Sequence, residues 1–349
     1  MNAMSIPRIA KLANVSLGTV DRALHNRGRI SEETRSKILR IAEELGYQTN
    51  PRARALAIGH RQFRIGVCIP RALRQYFDSI YDGIESELNH FSEFRISLVN
   101  SSPEQPGDSR HQHIAYLLQQ DIQALIVCPG DSHELTELIV SAKDAGIPVI
   151  FISSDAPANQ RTSVVWVDPE LLGRIAGELM ARFLGGRGQV AVVTGNLSNH
   201  SHSKRAESFA RRFEEIAVKG RCIETVEGHD DPKDTFEKVS VLLRRKANLK
   251  GIYVATGNCI PVCEAIDAQR KASGVQVIAT DFFPEMVPYF ERQMIVASVY
   301  QRPYWLGRYA LQLALKAVLE KKPLQPSYLV QPQVILASNM HLAREYKKS

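Results

Sequence analysis

The sequence predicts an all-α N-terminal head followed by an α/β body built on parallel sheets. Three observations carry this reading. Residues 1–61 hold 11 Lys and Arg against 5 Asp and Glu, so +6 of the chain's net +7 sits in its first sixth. The same residues contain three short, separately capped helical patterns. From Arg64 onward, short β-rich runs alternate with longer helical stretches. At roughly 100–200 residues per domain, 349 residues allow two or three units. A basic head on a nearly neutral body points to a nucleic-acid-binding module joined to a domain with another task.

Ser5 is placed to cap a first helix beginning Ile6-Pro7, where a proline lacks no intrahelical bond. Ile6, Ile9, Ala10 and Ala13 make its apolar face. After Asn14-Val15, Ser16 caps a second helix from Leu17 to about His25, with Val20, Ala23 and Leu24 inward. Two short helices joined by a tight turn form a helix-turn-helix. A third helix starts at Ser31, with Glu32 and Glu33 in the dipole-favoured first turn, and stops at Gly46. Thr19, Arg22, Asn26, Arg27 and Arg29 are left pointing outward. Asn50-Pro51 then opens a short helix former, Arg52 to Ala57, too short to stand alone in water.

The stretch Ile9 to Leu24, then Arg29 to Arg35, Leu45-Gly46-Tyr47 and Asn50 to Leu56, resembles the DNA-binding head and hinge of the lactose/galactose-repressor (LacI/GalR) family. The resemblance implies a second helix that reads the major groove and a hinge leucine, here Leu56, wedged into the minor groove at the centre of a palindrome. The implied DNA-facing set is Ser16, Leu17, Gly18, Thr19, Arg22, Asn26, Arg29, Asn50, Ala53, Arg54 and Leu56. Leu17 and Gly18 stand where base-reading side chains are common, which leaves Arg22 as the bidentate guanine reader. Asp21 departs from the usual small hydroxyl residue, and either accepts from a cytosine amine or holds Arg22. Thr19, Asn26 and Arg29 suit phosphate contacts.

In the body, candidate strands are Ile65–Ile69, Arg95–Val99, Ala124–Val127, Val149–Ile152, Val190–Val193, Gly251–Val254 and Val275–Ala279, with helices over Ser79–Asn89, Ser109–Gln120, Glu134–Ala145, Leu171–Leu184 and Ser203–Ala217. Repeated βαβ units imply parallel sheets whose ligands bind beyond the carboxyl ends of the strands. From about residue 63 to 342 the body resembles the type I periplasmic sugar-binding fold carried by the same repressor family, on the ribose-binding-protein side. Two Rossmann-like lobes are implied, about 63–160 with 292–322 and 161–291 with 323–342, after a 1–48 head and a 49–62 hinge and before a 343–349 tail.

By position, that resemblance implies a ligand-facing set of Arg74, Tyr76, Phe77, Cys128, Ser153, Ser154, Ser203, Asn258, Asp281 and Gln301. Tyr76 and Phe77 match an aromatic pair that stacks on a sugar ring, Asp281 an aspartate gripping vicinal hydroxyls, and Gln301 a hinge glutamine. Ser153-Ser154 replaces the family's Asp-Arg pair, with Asp155 one place later. Ser203 stands for an arginine ahead of Arg205, and Thr256-Gly257-Asn258 for an Asn-Asp pair, which argues against ribose itself. For the aromatics the competing role is core packing, and for Asp281 and Gln301 it is capping.

Other classes fit less well. The first strand leads into no G-x-G-x-x-G, and Gly185-Gly186-Arg187-Gly188 follows a helix, as a C-cap loop does. No P-loop is present, and His200 and His202 lack a partnered nucleophile motif, so no enzyme, cofactor or metal is expected. The His200-Ser203 run reads as loop polarity or a ligand contact, and a metal set with Cys222 or Asp230 as the weaker alternative. The five scattered cysteines form no disulfide framework, and no run approaches the ~18 apolar residues of a membrane span. A cytoplasmic protein is therefore expected, with double-stranded operator DNA, a second copy of itself and a small sugar-like effector as partners, and no membrane. The alternative, a solute-binding protein for uptake or chemotaxis, requires an export signal that is not seen and leaves the basic head unexplained.

Overall fold

The computed structural model describes residues 6–24, 30–44, 62–71, 74–104, 108–129, 135–156, 161–269, 274–321 and 323–343. Two compact units divide the chain, one comprising residues 1–62 with 91–95 and the other 63–90 with 96–349.

In the first unit, α1 (Ile6–Ala13), α2 (Leu17–Leu24) and α3 (Glu32–Glu44) share one small core. Ile9, Ala10, Ala13, Val20, Ala23, Ile38, Ile41 and Ala42 fill it, with Val15, Leu24 and Ile30 packed at its edge. The turn between α1 and α2 is a Schellman closure. Asn14 takes a left-handed φ of 57°, Val15 N–H donates to the Ala10 carbonyl at 3.0 Å, and Asn14 N–H donates to Lys11. The Ser31 hydroxyl accepts the Thr34 N–H at 3.3 Å, so α3 begins one residue after its cap.

The second unit holds two six-stranded sheets. The first is built from β1 (Phe63–Cys68), β2 (Ile96–Asn100), β3 (Ala124–Val127), β4 (Val149–Ile152), β5 (Ser163–Trp166) and β11 (Ser327–Leu329), in the order β11-β5-β4-β3-β1-β2. The second is built from β6 (Arg187–Thr194), β7 (Lys219–Glu227), β8 (Leu249–Val254), β9 (Gln276–Thr280), β10 (Ile295–Tyr300) and β12 (Gln333–Ile335), in the order β12-β10-β9-β8-β6-β7. All neighbours run parallel except β12, which is antiparallel to β10. Parallel strands covered on both faces read as unbroken apolar runs, and β3 and β4 are buried at every residue.

Helices α4 (Arg74–His90), α5 (Arg110–Leu118), α6 (Thr136–Asp144) and α12 (Pro303–Leu315) accompany the first sheet. With the second go α7 (Pro169–Phe183), α8 (His200–Ile216), α9 (Pro232–Arg245), α10 (Cys259–Asp267) and α11 (Val287–Glu291). The caps explain their starts. Asp168 accepts the Glu170 N–H at 2.9 Å ahead of Pro169, and Asn199 accepts the Ser201 N–H at 2.9 Å. Because Asn199 is the cap, the His200-Ser203 run is helical and not a loop. Gly185 and Gly186, at φ 60° and 69°, close α7 as a C-cap, and β6 already starts at Arg187.

The lobe boundaries expected from the sequence need correction. Residues 163–166 and 327–329 pair in the first sheet, and 295–300 in the second. The chain thus crosses between sheets after β5, β10 and β11, not before them. The physical reason is edge closure. β5 completes the row beside β4 and β11 then covers its free edge, just as β12 covers β10, so at that side each sheet ends in a three-residue strand.

Candidate functional site

In the head, Ser16 caps α2 by accepting the Thr19 N–H at 3.2 Å. This cap aims the exposed face of α2 outward. Leu17, Gly18 and Arg22 are exposed, Thr19 and Asp21 half-buried, and the Arg22 guanidinium donates to the Thr19 hydroxyl at 3.3 Å. Leu17 is 54% exposed, a large apolar side chain on a helix whose other face is the core. Of the remaining DNA-facing positions expected from the sequence, Asn26, Arg29, Asn50, Ala53, Arg54 and Leu56 lie outside the described residues.

In the body, the carboxyl ends of the strands bring a second group together. Asp281 follows β9 in a left-handed conformation, φ 65°, and is 1% exposed. Its Oδ1 accepts the Gln301 backbone N–H at 2.9 Å, and its Oδ2 accepts the Gln301 side-chain amide at 2.7 Å. Gln301 Oε1 in turn accepts from Arg205 Nη2 at 3.1 Å, while Arg205 Nη1 donates to the Ala255 carbonyl at 2.8 Å. On the first lobe, the hydroxyls of Tyr76 and Ser153 share a hydrogen bond of 2.7 Å. Phe77 meets Tyr76 edge-on, 5.1 Å between centroids. Ser153, φ 69°, and Ser154 end β4, both buried, and the Ser154 hydroxyl has no partner among the described residues. Cys128 ends β3, buried, its N–H bonded to the Cys68 carbonyl at 3.0 Å.

The electrostatics tie these walls together. Burial raises the Tyr76 phenol, and the Asp281 carboxylate raises it further, whereas Ser153 and Arg205 oppose the rise. Burial also pushes Asp281 up to about 6, against the Gln301 donors and Arg205. Burial pushes His202 down to about 4, although Asp230 pulls the other way. The result is a buried, hydrogen-bonded polar group at the strand ends, with one phenol and one carboxyl whose protonation burial shifts.

Several expected site residues are not drawn into this group. Ser203 donates its hydroxyl to Glu207 at 2.9 Å on the exposed side of α8. The Asn258 amide donates to Thr235 at 2.8 Å inside the lobe. Asp155, next to the Ser153-Ser154 pair, makes a buried bidentate pair with Arg161 at 2.6 and 2.7 Å, and Arg161 also donates to the Pro326 carbonyl. Arg74 is exposed, in the wall of a groove of about 950 Å³ shared with Asp78, Asp82 and Phe283. Conversely, Arg205 was expected only as a neighbour of Ser203, yet it bridges Gln301 and Ala255. Its signal in the sequence is an arginine on the same helical face as the buried Ser201, Ser208 and Phe209, where a charge requires partners. Close packing holds it there, because a Cβ on Gly173 of α7 would overlap the Arg205 carbonyl.

Among the described residues no group of His, Cys, Asp and Glu has the makings of a metal site, and no helix is long and apolar enough to cross a membrane.

Comparison with known proteins places both parts. Residues 65–322 match the periplasmic binding protein domain, and residues 5–50 match the bacterial regulatory proteins of the lacI family. Catabolite control protein A of Priestia megaterium is 28% identical over 254 residues, 72% of this chain and 74% of that protein. The HTH-type transcriptional repressor PurR of Serratia proteamaculans is 23% identical over 339 residues, 95% of each. Among solved structures, GanP, a glucose-galactose binding protein from Geobacillus stearothermophilus, superposes with a TM-score of 0.74 at 20% identity, covering 80% of this chain and 99% of GanP. A solute binding protein from Bacillus halodurans C-125 with bound myo-inositol gives 0.73 at 17%, covering 81% and 98%. These two likenesses establish the fold. With its body in the periplasmic-binding-protein-domain family and its head in the lacI family, the chain is a ligand-responsive, DNA-binding transcription regulator and not an enzyme.

Proposed function

We propose that this regulator acts as a homodimeric repressor on a palindromic operator and senses a sugar or sugar-like effector at the Asp281 group. The observation that carries the effector reading is the buried relay from Arg205 through Gln301 to both oxygens of Asp281, facing the Tyr76–Ser153 pair. Such a relay fixes the carboxylate so that it can accept from adjacent hydroxyls, while the aromatic faces of Tyr76 and Phe77 take up C–H surface. Glucose, galactose and myo-inositol, named for the two structural neighbours, are the first ligands to try.

In the head, Arg22 reads a guanine, Leu17 packs against a thymine methyl, and Thr19 with Ser16 sets the helix on the phosphates. Two copies meet two half-sites about one helical turn apart. Residues 1–48 form the DNA-binding module, 49–62 the hinge and 63–342 the sensor. Effector binding changes the relation of the two lobes, and shifts operator affinity by its differential affinity for the two states.

The test is a thermal-shift screen of the whole chain against pentoses, hexoses, sugar alcohols, inositols and sugar phosphates, with Asp281→Ala as control. Ligand at about 100 times its dissociation constant adds roughly 2.7 kcal/mol. A hit that disappears in the variant supports the assignment, and a hit that persists unchanged in the variant overturns it.

A further inference from the structure

Beside the Asp281 group, a second polar cluster closes the same end of the second sheet. It consists of His202 near the start of α8, Asp230 in the turn between β7 and α9, and Thr256 just after β8. Asp230 Oδ1 accepts the Thr256 hydroxyl at 2.5 Å. His202 Nδ1 accepts the Asn196 backbone N–H at 3.1 Å, which leaves Nε2 to carry the proton of the neutral ring. Both side chains lie over Gly195. A Cβ there would stand 2.5 and 2.6 Å from the Asp230 oxygens and 2.6 Å from His202 Cε1, so the cluster rests on a floor that only glycine leaves open.

The charges in this corner do not balance. Asp230 forms no ion pair with any described residue, and its Oδ2 accepts no hydrogen bond from them. His202, held near 4 by burial, brings no positive charge at neutral pH. The Arg205 charge acts on the ring, but two of its nitrogens are engaged by Ala255 and Gln301, and it also acts on Asp281. On the neighbouring turn, His229 and Lys238 are taken up by Asp234. Asp230 is therefore left without a cationic partner among the described residues.

On the elements that carry the cluster, three buried polar atoms have no partner among the described residues. Arg205 Nε is one, in a side chain 5% exposed, and the hydroxyls of Thr194 and Ser201, which precede Gly195 and His202, are two more. Groups of this kind are normally satisfied, so Arg205 Nε, in a side chain whose charge acts on the His202 ring, leaves a donor for another molecule to bond.

The geometry points to an effector that carries a protonated amine among its hydroxyls, an amino sugar or aminocyclitol, with the ammonium on Asp230 Oδ2 and an adjacent hydroxyl on His202 Nε2. This rests on the sugar-sensing reading of the body and narrows it. An ammonium on an unpaired, half-buried carboxylate makes a charge-assisted bond about twice as strong as a neutral hydroxyl's, and a sugar phosphate is repelled.

The test is titration calorimetry on the full chain with matched pairs: 2-amino-2-deoxy and 6-amino-6-deoxy hexoses and aminocyclitols, each beside its hydroxyl counterpart and its N-acetyl derivative. In at least one pair the amine should bind about tenfold tighter or more. N-acetylation, which removes the charge without altering the protein, should abolish that gain, and Asp230→Asn should bring amine and hydroxyl forms to similar affinity. The ligand-free melting point of the variant checks its folding. Equal binding of amine and hydroxyl members throughout, or a preference that survives N-acetylation, overturns the amine assignment alone. Binding of neither series overturns the sugar-sensing reading, and the amine assignment with it.

Discussion

Asp281 receives both of its strong hydrogen bonds from one residue, Gln301, through a backbone N–H at 2.9 Å and a side-chain amide at 2.7 Å. Even so, burial dominates and its carboxyl is pushed up to about 6, while the neighbouring His202 is pushed down to about 4. The two shifts act on stability in opposite directions. The raised Asp281 contributes stability that is complete below its unfolded value near 4 and is lost as pH rises through about 6. The lowered His202 contributes stability that is present above its unfolded value near 6.5 and is lost as pH falls through about 4. The two contributions therefore oppose each other between about pH 4 and 6.5.

The wild-type melting temperature should therefore change less across that window than that of a variant lacking either group. His202→Gln should make stability fall as pH rises through it, and Asp281→Asn should make stability rise. Melting curves at half-unit steps of pH check this, and parallel profiles for all three proteins would remove the opposed pair.

Tyr76→Phe deletes the phenol that bonds Ser153 at 2.7 Å and leaves a second buried hydroxyl beside that of Ser154. The expected loss is about 1–3 kcal/mol of stability, with effector affinity lowered as well. Tyr76→Phe with Ser153→Ala together should recover part of the stability, since neither polar group is then stranded. Urea denaturation of the single and double variants reads the coupling.

Glu87 on α4 is 4% exposed and is met from α12 by Arg308 Nε and Gln312 Nε2, each at 2.8 Å. The helices approach so closely that a Cβ on Gly83 or Gly307 would overlap the facing backbone. Glu87→Ala strands the Arg308 charge and should cost about 3–5 kcal/mol. Replacing Glu87 and Arg308 together by Met should cost far less, and the comparison by chemical denaturation separates pairing from packing.

Arg22→Ala should weaken operator binding by about 1–3 kcal/mol and relax preference at one base position per half-site. Leu56→Ala should weaken operator binding without altering effector binding. Fluorescence anisotropy with operator variants, at a stated salt concentration, reads both, and an unchanged affinity for Leu56→Ala would sink the wedge assignment.

Local chemistry in the sequence decides much of this molecule. The Ser16 and Ser31 caps, the acidic start of α3 and the Ile9, Val20 and Ile38 spacing specify a three-helix head, because each signal lies within a turn of the residue it acts on. The continuous apolar runs of β3 and β4 specify a buried parallel sheet for the same reason. The family resemblance pointed to Asp281, Gln301 and Tyr76, of which Asp281 and Gln301 bond each other in the fold. Tertiary structure alone decided the rest. Which sheet β5, β10 and β11 join depends on pairing with strands distant in sequence, and a short apolar run looks the same in either sheet. Asp155 belongs to Arg161, Asn258 to Thr235, and Ser203 to Glu207, because a polar side chain bonds whatever the packed chain brings within 3 Å, and the sequence shows only that it needs a partner. Arg205 and the His202–Asp230–Thr256 corner are assembled only by the packed chain, which brings residues from α8, the turn after β7 and the end of β8 together.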